Sequence, residues 1–142
     1  MRARLVVLSA VSLLTACLQP TDTQVDSVSL AGRWQYTAQQ NGTTITMLAG
    51  TMIIEQHAGA AGFQGYLNVV STSAETGEGR SVAGTLSGSA ASANAVDFDV
   101  FLEPVARRHV AHLAGDMLTG TWVRVADDGL SASGSFSAKR IQ

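Results

Sequence analysis

A five-residue pattern recurs along the chain: an apolar residue, any residue, Gly, any residue, then a large apolar residue. It occurs as Leu30-Gly32-Trp34, Phe63-Gly65-Leu67, Val82-Gly84-Leu86 and Leu118-Gly120-Trp122, with a weaker copy at Ala132-Gly134-Phe136. Alternate residues of a strand project from one face, so each copy puts a stripe of apolar, Gly, apolar on one side of a strand. A Gly at the centre of such a stripe packs poorly, but it lets the strand coil sharply and a neighbouring backbone approach. Small barrels need both properties. Alternation with period two appears repeatedly from Ser29 to Gln142, and no stretch sustains a helical period.

Strands are expected near residues 30–38, 44–57, 62–72, 80–87, 95–103, 107–114, 117–126 and 130–140. Asn41-Gly42 suits a type I′ hairpin, and Asp127-Asp128-Gly129 suits a three-residue loop with Gly in the left-handed position. Pro104 falls between strands five and six, where its missing N–H does little harm. The longest connection runs from Ser73 to Gly79. Ala49-Gly50 breaks the parity of strand two, so Met47 and Met52 share a face only across a bulge or bend. Short sequential hairpins and an even strand number let strand eight pair antiparallel with strand one. Closure removes both edges, which an open sheet leaves unpaired. The expected fold is therefore all-β, a closed antiparallel up-and-down meander barrel of about eight strands, favoured over a sandwich.

A length of 142 residues allows one such domain. With 46% hydrophobic residues and a net charge of -2, the chain is not of the disordered class, and it lacks the basic face that nucleic acid requires. A single Cys excludes an internal disulfide and a Cys-based zinc site. That Cys ends a distinct segment. Arg2 and Arg4 precede an uncharged run from Leu5 to Ala16, too short for the roughly 20 residues of a bilayer span and laid out as a secretory signal peptide. Its ending, Leu14-Thr15-Ala16-Cys17, resembles the bacterial lipobox.

The resemblance implies cleavage before Cys17 and acylation there with diacylglycerol and palmitate-type chains. Residues 1–16 are then a lipoprotein signal peptide, 17–28 the lipidated Cys and a polar tether, and 29–142 the β-barrel domain. Leu18-Gln19 after the Cys, in place of Asp, implies the outer membrane of a Gram-negative envelope, facing the periplasm. Removal of residues 1–16 leaves 7 basic and 11 acidic residues, a formal charge of -4. Such a chain is not drawn to anionic lipid, and its membrane partner would be held by acyl chains at roughly 0.8 kcal/mol per buried CH₂.

Leu30-Ala31-Gly32-Arg33-Trp34 resembles the Gly-x-Trp start of the calycins, the lipocalin, avidin and fatty-acid-binding barrels. The resemblance implies that a basic residue of the last strand, Lys139 or Arg140, lies across Trp34 and closes the barrel. The chain has no Thr-Asp-Tyr lipocalin motif, no C-terminal helix and no helical lid, so the nearest likeness is a short avidin-like barrel. Residues of a biotin site do not match one by one, and biotin binding is not implied.

The expected inward set is Leu30, Trp34, Tyr36, Ile45, Met47, Met52, Ile54, Phe63, Leu67, Val69, Val82, Leu86, Val96, Phe98, Val100, Leu102, Val110, Leu118, Trp122 and Phe136. The hairpin at Pro104 is expected to turn Val110 and His112 inward, opposite Phe98 and its neighbours. Asp97, Asp99 and Glu103 then face solvent, opposite Arg107 and its neighbours. His109 and His112 point to opposite faces of a strand, which argues against a shared metal. No Ser, His and acid can be assembled into a triad, and neither a phosphate-cradling Gly loop nor a calcium loop is present.

These residues predict a non-enzymatic envelope lipoprotein, with no cofactor, metal or nucleic acid. An apolar small molecule or lipid would sit in the barrel among Trp34, Tyr36, Met52, Ile54, Phe98, His112, Trp122 and Arg124, wherever interior Gly and Ala leave a hollow. The alternative is a protein-interaction module, inhibitor-like or structural, that meets an envelope protein through its loops.

Overall fold

The computed structural model describes residues 28–42, 46–102, 104–125 and 131–141. The signal segment, Cys17, most of the tether, Ile45, Glu103 and the Asp127–Gly129 loop lie outside the described residues. The described chain forms eight strands: β1 (Gly32–Gln40), β2 (Thr46–Glu55), β3 (Gly62–Ser73), β4 (Gly79–Ala90), β5 (Ala95–Leu102), β6 (Val105–Ala114), β7 (Met117–Val125) and β8 (Ser133–Ile141). Each pairs antiparallel with the next, and β8 pairs with β1, so the sheet is a closed up-and-down barrel without a helix.

The register fixes the barrel's proportions. From Gly62 on β3 the pairing passes through Ser89, Asp97, Val110, Thr121, Ser135, Gln39 and Met47, and returns to β3 at Thr72. One circuit thus advances the chain by ten residues, from 62 to 72. Eight strands with that stagger tilt by about 40° to the barrel axis. Such a barrel has an interior just wide enough for side chains to fill it.

Filled it is. Leu30, Trp34, Met52, Leu67, Val100 and Leu118 are fully buried, and Tyr36, Phe63, Phe98, Trp122 and Phe136 pack with them. The interior glycines are contact points between backbones and do not line a hollow. A Cβ on Gly65 would strike the Ile53 carbonyl, one on Gly84 the Phe101 carbonyl and one on Gly120 the Val110 carbonyl. The first copy of the pattern differs. Gly32 is exposed with φ +132, so the chain bends there and Leu30 folds back over the barrel mouth.

Three expectations are corrected by the register. β2 runs without a bulge, with Leu48, Gly50, Met52 and Ile54 on its inner side, and Met47 is half exposed. Asn41-Gly42 is not a two-residue turn, because the last β1–β2 pair is Gln39 with Met47. The largest change is at Pro104. Leu102 pairs with Val105, so Phe98 faces His109 and Val96 faces Ala111. Val110 and His112 therefore lie outside, while His109, Ala111 and Leu113 lie inside. The inward expectation for Val110 and His112 requires a hairpin one residue longer, and a slip of one residue exchanges the two faces of a strand. The same slip turns Arg107 inward and leaves Arg108, not Arg107, opposite Asp99.

Candidate functional site

The two barrel mouths differ in chemistry. One mouth carries the start of β1, the end of β8 and the β2–β3, β4–β5 and β6–β7 connections. It is plugged. Leu30 lies over Trp34 with its carbonyl accepting from Trp34 Nε1 at 3.0 Å. The Gln56 side chain accepts from the Leu30 N–H at 2.6 Å and donates to the Ala60 carbonyl at 2.7 Å. Arg140 binds the plug down. Its guanidinium lies 4.4 Å from the Trp34 ring centroid and donates to the carbonyls of Ala31 at 2.6 Å and Ser29 at 2.8 Å. Asp116 holds Arg140 Nε at 3.3 Å. Lys139 is exposed on the outer face, so of the two basic residues Arg140 alone covers Trp34.

Mid-barrel, Tyr36 on β1 and His109 on β6 meet across the interior, hydroxyl to Nε2 at 2.9 Å. His109 Nδ1 lies 3.0 Å from the Arg107 carbonyl, which can only accept. The imidazole therefore carries its proton on Nδ1, and Tyr36 donates to Nε2. Phe98 stacks on His109 at 4.6 Å and Phe136 meets its edge at 4.8 Å. Burial lowers the His109 pKa from 6.5 to about 4, against a smaller opposing effect of its bond to the Arg107 backbone. The ring is neutral at pH 7. Burial also pushes the Tyr36 phenol well above its ordinary value, partly offset by the Arg107 charge.

At the second mouth β6 and β7 bring two arginines to the inner side. Arg107 and Arg124 are cross-strand partners, each half-buried. The Arg107 guanidinium carbon stands 5.6 Å from the Trp122 ring centroid, and its Nε and Nη1 are buried without a hydrogen-bond partner. Burial lowers the Arg107 pKa, with the nearby Tyr36 opposing and Arg124 reinforcing the shift. Trp122 Nε1 is likewise buried and unbonded. Val82, Val105 and Ala132, also half-buried, share this end of the barrel. Among the described residues this end carries two inward-facing arginines.

Of the expected ligand residues, Trp34, Tyr36, Met52, Ile54, Phe98 and Trp122 are buried in the packed interior, Arg124 is at the second mouth, and His112 is exposed on the outer wall. Arg107 and His109 are the interior polar groups that sequence reasoning missed. Among the described residues no three His, Cys, Asp or Glu side chains converge as a metal site would require.

No protein-family model matches this chain, and no curated protein matches it. Its fold is shared with solved structures of low sequence identity. A de novo designed fluorescence-activating β-barrel is 15% identical, with a TM-score of 0.60 over 82% of this chain and 98% of that one. The S-type phycobiliprotein lyase CPES from Guillardia theta is 10% identical, with a TM-score of 0.52 over 80% of this chain and 89% of that one. The chain is thus a small closed eight-strand antiparallel barrel, similar in architecture to a designed fluorescence-activating barrel and to a phycobiliprotein lyase.

Proposed function

We propose that the chain is a non-enzymatic envelope lipoprotein whose barrel binds a small amphipathic anion, head group first, at the mouth that carries Arg107. The observation behind this reading is the Arg107 guanidinium, buried at Nε and Nη1 with no partner for either. A charge taken out of water without hydrogen bonds is expensive, and an anionic ligand supplies what is missing. The lowered pKa of Arg107 agrees in direction. The apolar part of the ligand would cover Val82, Val105 and Ala132 and displace no core residue.

An apolar molecule at the barrel centre, expected from sequence, is less well supported, because Trp34, Met52 and Leu67 occupy that space. The fold likeness to a fluorescence-activating barrel and a phycobiliprotein lyase is consistent with small-molecule binding. The described chain begins at the plugged mouth, so a lipid at Cys17 would tether that end and leave the Arg107 mouth facing away from the membrane.

Dodecanoate and dodecanol test the reading. Saturable quenching or enhancement of tryptophan fluorescence is expected with dodecanoate. In Arg107→Gln the affinity should fall about tenfold or more, the equivalent of one hydrogen bond to a charged group. Dodecanol should bind no better to the wild type than to the variant. An unchanged response to dodecanoate in Arg107→Gln would sink the proposal, as would no response in the wild type.

A further inference from the structure

The outer wall of the barrel carries a trough along β4. Every outward residue of β4 from Ser81 on is small: Ser81, Ala83, Thr85, Ser87 and Ser89, all exposed. The strands beside it carry large side chains. Tyr66 on β3 and Phe101 on β5 both pair with Thr85, so the two aromatic residues flank β4 at one level, and each is more than two-fifths exposed. Two strand spacings separate them, about 10 Å. The result is a trough with a floor of hydroxyls and aromatic walls.

Three depressions meet at Ser87. One of about 400 Å³ lies between Tyr66 and Phe101, one of about 310 Å³ lies over Asp97 and Asp99, and one of about 740 Å³ runs to Gln56 and Phe63 at the plugged mouth.

The trough is acidic. Glu55, Asp97 and Asp99 border it, against one cation, Arg108, which already bonds Asp99 at 3.2 Å. Glu55 and Asp97 make no ion pair among the described residues. Asp97 and Asp99 lie two residues apart on the same face of β5, a separation of about 6.8 Å. An extended peptide presents alternate side chains at that same interval. From Thr85 to Ser89, β4 is hydrogen-bonded to β3 and to β5, so a partner strand finds no free backbone and recognition must come from side chains.

We infer that this trough is a docking surface for an extended cationic polypeptide segment, with Lys or Arg at two successive alternate positions against Asp97 and Asp99 and a large apolar residue at the next alternate position, on the same face, seated between Tyr66 and Phe101. Charge decides among the occupants. The chain's own residues 18–28 carry Asp22 and Asp26 and no basic residue, so they do not complement an acidic trough. A second copy related by two-fold symmetry would set Asp97 and Asp99 against their like. A polyanion is repelled. A basic segment gains the carboxylates, while its apolar residue packs against the Tyr66 and Phe101 rings.

The test uses the full chain in nonionic detergent with a labelled peptide, Lys-Ser-Lys-Ser-Phe-Ser-Lys, which puts its Lys and Phe side chains on one face of an extended chain, followed by fluorescence anisotropy at low and moderate salt. Saturable binding that weakens with salt is expected. Ser87→Arg puts a cation into the floor, and Phe101→Ser removes one wall; both side chains are exposed, so the fold is retained. Each should weaken binding about tenfold, as loss of an anchor contact does. The inference is overturned if the peptide does not bind, or if it binds both variants as tightly as the wild type. It is also overturned if the peptide with Glu in place of Lys binds equally well. Occupation by chitotetraose in place of the peptide, or concentration-dependent dimerisation abolished by Ser87→Arg, would assign the trough to a glycan or to a second copy and reject a basic partner.

Discussion

At the scale of single residues, His109 converts burial into pH dependence. The unfolded chain takes up a proton near pH 6.5 that the folded chain refuses until about pH 4. Stability is therefore complete above about pH 6.5 and declines as pH falls through this window, by about 2 kcal/mol between pH 7 and pH 5. Urea unfolding at the two pH values measures the loss. The double variant Tyr36→Phe/His109→Phe leaves no unpaired hydroxyl and should flatten the profile over this range. An equal slope in that variant would assign the effect to carboxylates. Trp34 and Arg140 make a second residue-scale case. Trp34→Ala should destabilise by roughly 3–5 kcal/mol. Arg140→Met loses a cation–π contact of about 0.5–2 kcal/mol, the two hydrogen bonds that bind down the plug and the ion pair to Asp116. Unfolding midpoints that match the wild type in both variants would show that the plug does not stabilise the barrel.

At the scale of elements, the interior glycines govern how closely strands coil. Gly120 sits where a methyl group would meet the Val110 carbonyl and the Ala111 Cα, both main-chain atoms that cannot rotate away. Gly120→Ala should cost about 1–3 kcal/mol, the range for overpacking. Gly62→Ala is the matched control, since its Cβ would come no nearer than 3.9 Å to the Gly88 carbonyl oxygen. That change should stay within about 0.5 kcal/mol of the wild type. Thermal melts of the pair check the difference, and equal melting temperatures would refute the close-approach account. Gly65, Gly84 and Gly120 were legible in the sequence as inward positions because large apolar residues flank each at a spacing of two. What they contact was not legible, because which carbonyl of the adjacent strand opposes each is set by a register that only pairing defines.

At the scale of the whole molecule, closure sets both the packing and the orientation. An advance of ten residues per circuit makes the interior narrow, and aromatic side chains fill it. Leu30 and Arg140 plug one mouth, and Arg107 and Arg124 lie at the other. The lipobox resemblance adds a prediction that involves the chain's first segment. Wild-type cells fed labelled palmitate should yield a labelled protein, and Cys17→Ser should yield an unlabelled, uncleaved one. Full labelling of that variant would exclude acylation at Cys17.

The sequence by itself determined the class of fold. Alternation with period two, eight strand segments, short turns and the recurring Gly pattern all pointed to an all-β closed meander, and local chemistry suffices for that because each strand's inner stripe is written in its own residues. The candidate site was only half legible. Trp34, Tyr36, Phe98 and Trp122 announce themselves as large residues on clear apolar stripes. Arg107 and His109 do not, because β6 reads ambiguously: Val110 marks one face, Ala111 and Leu113 the other, with a histidine on each. The tertiary structure decided between them through the pairing of Leu102 with Val105. That single register buries His109 against Tyr36 and brings Arg107 over Trp122. A strand's parity is a two-way choice that its own sequence leaves nearly balanced here, and hydrogen bonding to its neighbours, with the burial of Ala111 and Leu113, tips it.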